Sequence, residues 1–119
     1  MRVTGVHHVG LHSPDPDRLI AFYRDMFGLM PQPMPTGVAR GRAYFDVGGM
    51  ILLEVIPAER PGRDHLAFAV ARRQDLVDLR ARLLAAGHRA GEIRELEFAC
   101  CLDFHDTDDR RGEVVWCVA

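Results

Sequence analysis

The chain has 119 residues, a length that predicts one domain, and its 48% hydrophobic and 27% charged residues are ordinary for a chain with a folded core. Its formal net charge of -2 argues against a nucleic-acid or anionic-membrane partner, because such proteins normally carry a basic face. No apolar run approaches the roughly 20 residues of a membrane span, and the three cysteines form no even disulfide framework. We therefore expect a cytoplasmic protein.

The first half of the chain predicts a strand, a helix and two further strands. Residues 3–11 are β-prone, and the helix that follows is expected to have Asp15 as its N-cap, Pro16 as its first residue and Gly28 as its stop. The prolines at positions 31, 33 and 35 exclude a helix and predict an extended connection. The two strands are then expected over residues 42–47 and 50–56, joined by a glycine turn.

The second half repeats this order. A strand is predicted over residues 65–70, a helix over 75–86 with Gly87 as its stop, and strands over 93–98, 100–104 and 113–118. The chain therefore reads as two tandem βαβββ modules of an α+β protein, residues 1–57 and 64–119, with a linker over 57–63. We expect the two modules to form one domain over 1–119.

Four residues recur at matching places in the two halves. Glu54 is 46 residues after His8, and Glu113 is 48 residues after His65. Glu54 lies among apolar residues, where a buried carboxylate needs an arginine, a metal or a proton to offset a cost of several kcal/mol. The alternative is an edge strand on which Glu54 faces solvent.

The two histidines begin apolar strands, where a histidine with only a structural role is commoner than a metal ligand. If a pseudo-twofold relates the halves, however, two imidazoles and two carboxylates can converge on one divalent metal ion. This mixed nitrogen and oxygen set suits zinc, nickel, cobalt, manganese or iron(II).

Five segments carry a family pattern that spans nearly the whole chain. They are HHVGLHSPDPDRLIAFYRDMFGL (7–29), YFDVGGMILLEVIP (44–57), DHLAFAV (64–70), QDLVDLRARLLAAG (74–87) and DTDDRRGEVVW (106–116). With these segments the chain resembles the vicinal oxygen chelate superfamily. That group includes glyoxalase I, methylmalonyl-CoA epimerase, fosfomycin-resistance enzymes, extradiol dioxygenases and bleomycin-resistance proteins.

The resemblance implies a curved, mostly antiparallel sheet in each module, arranged as a cleft, and a homodimer that binds a small-molecule substrate. It implies His8, Glu54, His65 and Glu113 as metal ligands, from one chain or from two, with the two glutamates also acting as catalytic base and acid. His7 is the alternative to His8, because a slip of one residue exchanges the two faces of a strand.

The last segment departs from the family pattern. Thr107 and Asp109 stand where proline and glycine are usual, and Gly112 just before Glu113 is compatible with a bulge that would turn Glu113 away.

The resemblance favours a metal-dependent glyoxalase-like lyase or isomerase that moves a proton beside a carbonyl. One alternative is a metal-free small-molecule binding protein of the bleomycin-resistance kind. Another is an enzyme like the extradiol dioxygenases or the fosfomycin-resistance proteins. The residues do not define the substrate or its binding residues.

Overall fold

A computed structural model describes residues 8–33, 41–48, 51–62, 66–97 and 99–117. The chain divides into two compact units, Met1–Gly62 and Arg63–Ala119. Each unit contains one helix and one four-stranded sheet, so the predicted α+β class with two tandem βαβββ modules is confirmed. That both modules belong to one domain stays a prediction. Neither of the described helices is long and apolar enough to cross a membrane.

The sheet of the first unit has the order β1-β4-β3-β2, with β1 parallel to β4 and the other neighbours antiparallel. The predicted extended connection contains a short strand of its own, β2. The bounds are β1 His8–Ser13, α1 Pro16–Phe27, β2 Pro31–Pro33, β3 Ala43–Val47 and β4 Ile51–Pro57.

The ends of α1 are those that the sequence predicts. The Asp15 carboxylate accepts a hydrogen bond from the Arg18 backbone N–H at 3.2 Å, and Pro16 is the first helical residue. Gly28 ends the helix with φ of 68°, a left-handed conformation that glycine adopts without a steric cost.

The two faces of this sheet have different roles. Side chains that alternate along the central strands pack with α1 into an apolar core, made of Leu11, Leu19, Phe22, Tyr23, Phe45, Leu53 and Val55. Because successive side chains point to opposite faces, His8 and Glu54 lie on the other face. The helix therefore leaves the histidine and the carboxylate on a surface of the sheet that it does not cover.

The second unit repeats this arrangement with the order β5-β8-β7-β6, in which β5 is parallel to β8. Its helix begins two residues before the predicted start, because the Asp75 carboxylate accepts from the Arg72 backbone N–H at 3.0 Å and so lies inside the first turn. The predicted strand over 93–98 is reduced to two residues. The bounds are β5 Leu66–Ala69, α2 Arg73–Ala85, β6 Arg94–Glu95, β7 Ala99–His105 and β8 Arg111–Cys117.

A buried ion pair closes the turn between β7 and β8. Asp106 accepts hydrogen bonds from the backbone N–H groups of Asp108 (2.9 Å) and Arg110 (3.0 Å), and from Arg110 Nη1 (2.7 Å). Asp109 has a left-handed φ of 59°, which aspartate tolerates better than most residues. The turn therefore keeps a left-handed residue at the position where the family pattern has glycine.

The possible bulge at Gly112 is absent from this hairpin. Pairing runs without a break from Ala99↔Cys117 to His105↔Arg111, and it includes Phe104↔Gly112. A Cβ on Gly112 would overlap the fully buried ring of Phe104. The glycine is therefore explained by the close approach of an aromatic ring across the strand pair.

Replacing Gly112 with alanine should destabilise the protein by about 1–3 kcal/mol, because the Phe104 ring would have to move within a packed core. Urea unfolding measures this cost. Gly91→Ala is the matched control, since a Cβ there meets nothing nearer than 3.8 Å. Equal unfolding free energies for Gly112→Ala and Gly91→Ala would contradict the explanation.

Candidate active site

Glu54 lies in the interior of the first sheet. Its strand, β4, is hydrogen-bonded to β1 on one side and to β3 on the other, and its register partners are Gly10 and Tyr44. Only 7% of the residue is exposed. The alternative of an edge strand with Glu54 in solvent is therefore wrong, and the carboxylate requires compensation.

The imidazole ring of His8 lies beside this carboxylate. Its Nε2 lies 4.0 Å from Glu54 Oε2, and its side chain is 43% exposed. That separation is too long for a direct hydrogen bond. Two ligands of a tetrahedral zinc ion lie roughly 3.4 Å apart, so the two atoms would bind one divalent ion after approaching each other by about half an ångström.

Gly41 fixes the space that the Glu54 side chain occupies. A Cβ on Gly41 would lie 2.7 Å from Glu54 Cγ and would overlap Oε1. The neighbouring Arg42 backbone N–H donates to the carbonyl of Val55 at 2.7 Å, which holds this segment against β4. The absence of a side chain at position 41 therefore leaves room for the carboxylate.

Glu113 occupies the corresponding strand of the second unit, β8, and is half-buried. Its register partners are Ala67 on β5 and Asp103 on β7. Burial raises the pKa of the Cys101 thiol, and the neighbouring Glu113 carboxylate raises it further. Cys101 therefore stays protonated beside the carboxylate.

Solved structures with related folds match almost the whole chain. A glyoxylase/bleomycin resistance protein/dioxygenase domain from Frankia sp. EAN1pec is 29% identical, with a TM-score of 0.76 over 98% of this chain and 99% of that chain. A lactoylglutathione lyase from Agrobacterium tumefaciens is 19% identical, with a TM-score of 0.78 over 98% and 96%. The fosfomycin resistance protein FosX from Listeria monocytogenes is 16% identical, with a TM-score of 0.75 over 97% and 94%.

The chain has the vicinal oxygen chelate fold. The predicted resemblance to that superfamily is thus confirmed. No protein-family model and no curated protein matches the chain. The named activities of the similar structures differ from one another, and two of the three structures are less than 20% identical to this chain. The likeness therefore shows the fold and leaves the reaction open.

The structure describes only some of the four predicted metal ligands. His8 and Glu54 are brought together in the first unit, Glu113 stands on β8 of the second, and His7 and His65 lie outside the described residues. Among the residues that the structure describes, no group of three or more His, Cys, Asp or Glu side chains is close enough to hold a metal ion. The choice of His8 over His7 and the assignments of His65 and Glu113 therefore stay predictions.

Sequence reasoning assigned no role to the surroundings of Glu113. Cys101, Asp103 and His105 alternate along β7 and share the sheet face of Glu113. Their spacing of two is a visible signal of a strand with one polar face. Only the register, however, shows that Asp103 stands directly opposite Glu113.

Gly41→Ala should displace the Glu54 carboxylate with little change in unfolding free energy, because the colliding atoms belong to a flexible side chain and not to the backbone. If Glu54 is a metal ligand, divalent metal affinity should fall by about tenfold or more, as it does when supporting contacts of ligands are lost. Calorimetric titration of Zn²⁺ and Ni²⁺ measures this. Unchanged affinity in a folded variant would show that the position of Glu54 does not matter for metal.

Proposed function

We propose that the protein is a divalent-metal-dependent lyase or isomerase of the glyoxalase-like kind, which moves a proton on the carbon beside a substrate carbonyl. His8, Glu54, His65 and Glu113 are the proposed metal ligands. The observation that carries the proposal is the interior carboxylate of Glu54, 7% exposed, with His8 Nε2 4.0 Å from its oxygen.

The argument begins with the cost of burying Glu54. An ionised carboxylate in a sheet interior is stable only where a cation or several donors offset its desolvation. A divalent ion offsets that cost and also uses the imidazole nitrogen of His8, a combination that suits zinc, nickel, cobalt, manganese or iron(II). When bound, such an ion supplies a Lewis acid for the two neighbouring oxygens of a substrate.

The two glutamates are the proposed proton-transfer groups. Glu54 would accept the proton from the carbon beside the carbonyl, and Glu113, once it has taken a proton from water, would return that proton to the product. Glu54 then gives its proton to water, so that protons balance and no oxidation state changes overall. Burial and the neighbouring Glu113 carboxylate raise the pKa of the Cys101 thiol. The thiol therefore stays protonated and adds no negative charge beside Glu113.

Glu54 also distinguishes the alternatives. The resemblance implies two histidines and one glutamate for the extradiol dioxygenases and many fosfomycin-resistance enzymes, without the carboxylate at position 54. A metal-free binding protein needs another way to offset the burial of that carboxylate, and the imidazole of His8, 4.0 Å from Glu54 Oε2, offers one when it carries a proton. This pair makes the bleomycin-resistance kind the second candidate. For either candidate we expect a homodimer and a small-molecule ligand.

Elemental analysis of tag-free protein, after chelation and reloading, tests the proposal. We expect about one metal ion per chain in the wild type. His8→Ala and His65→Ala should each weaken binding at least about a hundredfold, and Glu113→Gln should weaken it less, because removal of a ligand exceeds the 10–100-fold effect of its supporting partners. A competition titration with a coloured chelator measures these affinities.

His88→Ala and Glu59→Gln are the matched controls, since both lie outside the proposed ligand set and should keep wild-type affinity. Full metal occupancy in His8→Ala would refute the His8 assignment and favour His7. A wild type that retains no metal and gains no thermal stability on reloading would refute the enzyme and leave the metal-free binding protein.

A further inference from the structure

Three basic side chains stand in one row across the sheet of the second unit. His105 on β7 pairs with Arg111 on β8. On the other side of β7, the His105 backbone N–H donates to the Arg89 carbonyl at 3.1 Å, next to the bridge between Ala90 and Phe104. Residues that pair in this way point to the same face, so Arg89, His105 and Arg111 are direct neighbours.

The row borders a pocket of about 430 Å³, within the size range of small-molecule sites. Ala90 and Gly91 contribute small residues to its lining, and Asp103 completes it. A Cβ on Gly91 would meet no atom nearer than the Cβ of Asp103, which would lie 3.8 Å away. The pocket therefore combines a small-residue segment with two guanidinium groups and an imidazole.

The acidic groups around the pocket already have partners. Asp103 Oδ1 accepts from Arg94 Nη2 at 3.1 Å, and Asp109 Oδ1 accepts from Arg89 Nη1 at 2.7 Å. The Arg111 side chain is exposed and makes no hydrogen bond or ion pair with any residue in the described part of the chain. The row thus keeps a surplus of positive charge.

Arg89 and Arg111 stand on either side of His105, so two guanidinium charges would attract an anion above the row. The Arg89–Asp109 pair is exposed and therefore weak, so Arg89 can turn towards an anion at little cost. Guanidinium groups bind carboxylate and phosphate oxygens through paired, charge-assisted hydrogen bonds.

We propose that this pocket binds the carboxylate or phosphate group of the substrate. Arg111 and Glu113 are two residues apart on one face of β8, a spacing of roughly 7 Å. An anionic group on the row is therefore a few bonds from a carbon that Glu113 can protonate. On this proposal the substrate is a short anionic carbonyl compound. The carbonyl group and the link to Glu113 rest on the proposed function, whereas the anion site does not.

Anion titrations of metal-free protein at constant ionic strength test this site. Inorganic phosphate and malonate should each raise Tm and give saturable binding by calorimetry, whereas sodium chloride should not. Arg111→Gln and Arg89→Gln should each weaken that binding by about tenfold, the effect of losing one charge-assisted contact. Tighter binding of phosphate or of malonate tells which anionic group the row prefers.

Arg18→Gln is the control, because it removes the same charge from an exposed position on the other unit. It should bind both anions as the wild type does. Equal stabilisation of the wild type, Arg18→Gln and Arg111→Gln, or no saturable binding by the wild type, would overturn the anion site. Because the protein is metal-free in this experiment, loss of the anion site and loss of the proposed metal site give separate results.

Discussion

The arrangement of the first unit depends on a carboxylate that the fold places inside a sheet. Glu54 lies on the middle of three hydrogen-bonded strands, opposite Gly10 and Tyr44, and a glycine at position 41 leaves it room. A carboxylate in such a place is unfavourable unless a cation or several donors accompany it. The sheet face that carries it also carries His8, and the helix covers the opposite face. The proposed metal function follows from this placement.

The second unit repeats the strand order, but it positions its glutamate with different contacts. The buried Asp106–Arg110 pair fixes the turn before β8, and the absence of a side chain at Gly112 leaves room for the ring of Phe104. Both features keep β8 in unbroken register with β7, so that Glu113 stands beside Asp103 and the thiol of Cys101. The departures from the family pattern before Glu113 are therefore compatible with a regular strand.

Local signals in the sequence were enough for the helices and for most strands. The Asp15–Pro16 start and the Gly28 stop of α1 depend on neighbouring residues alone, and they are correct. Local patterns could not define three features, because each depends on which strands become neighbours. These are the interior position of Glu54, the close approach of Phe104 that requires Gly112, and the row that includes Arg111. The shared metal depends in addition on His65, which lies outside the described residues.

The measurement that tests the central claim most directly is the unfolding free energy of Glu54→Gln against the wild type, in chelator and in saturating metal. In chelator, the neutral amide should be the more stable by about 1–3 kcal/mol, because it lowers the desolvation cost of the buried carboxylate without changing the shape of the side chain. In saturating metal the wild type should be the more stable of the two. The ion stabilises a folded state in proportion to its affinity, and Glu54→Gln lacks one of the proposed ligands. A wild type that is more stable than Glu54→Gln in chelator as well would show that the protein alone compensates the carboxylate, and would contradict the account.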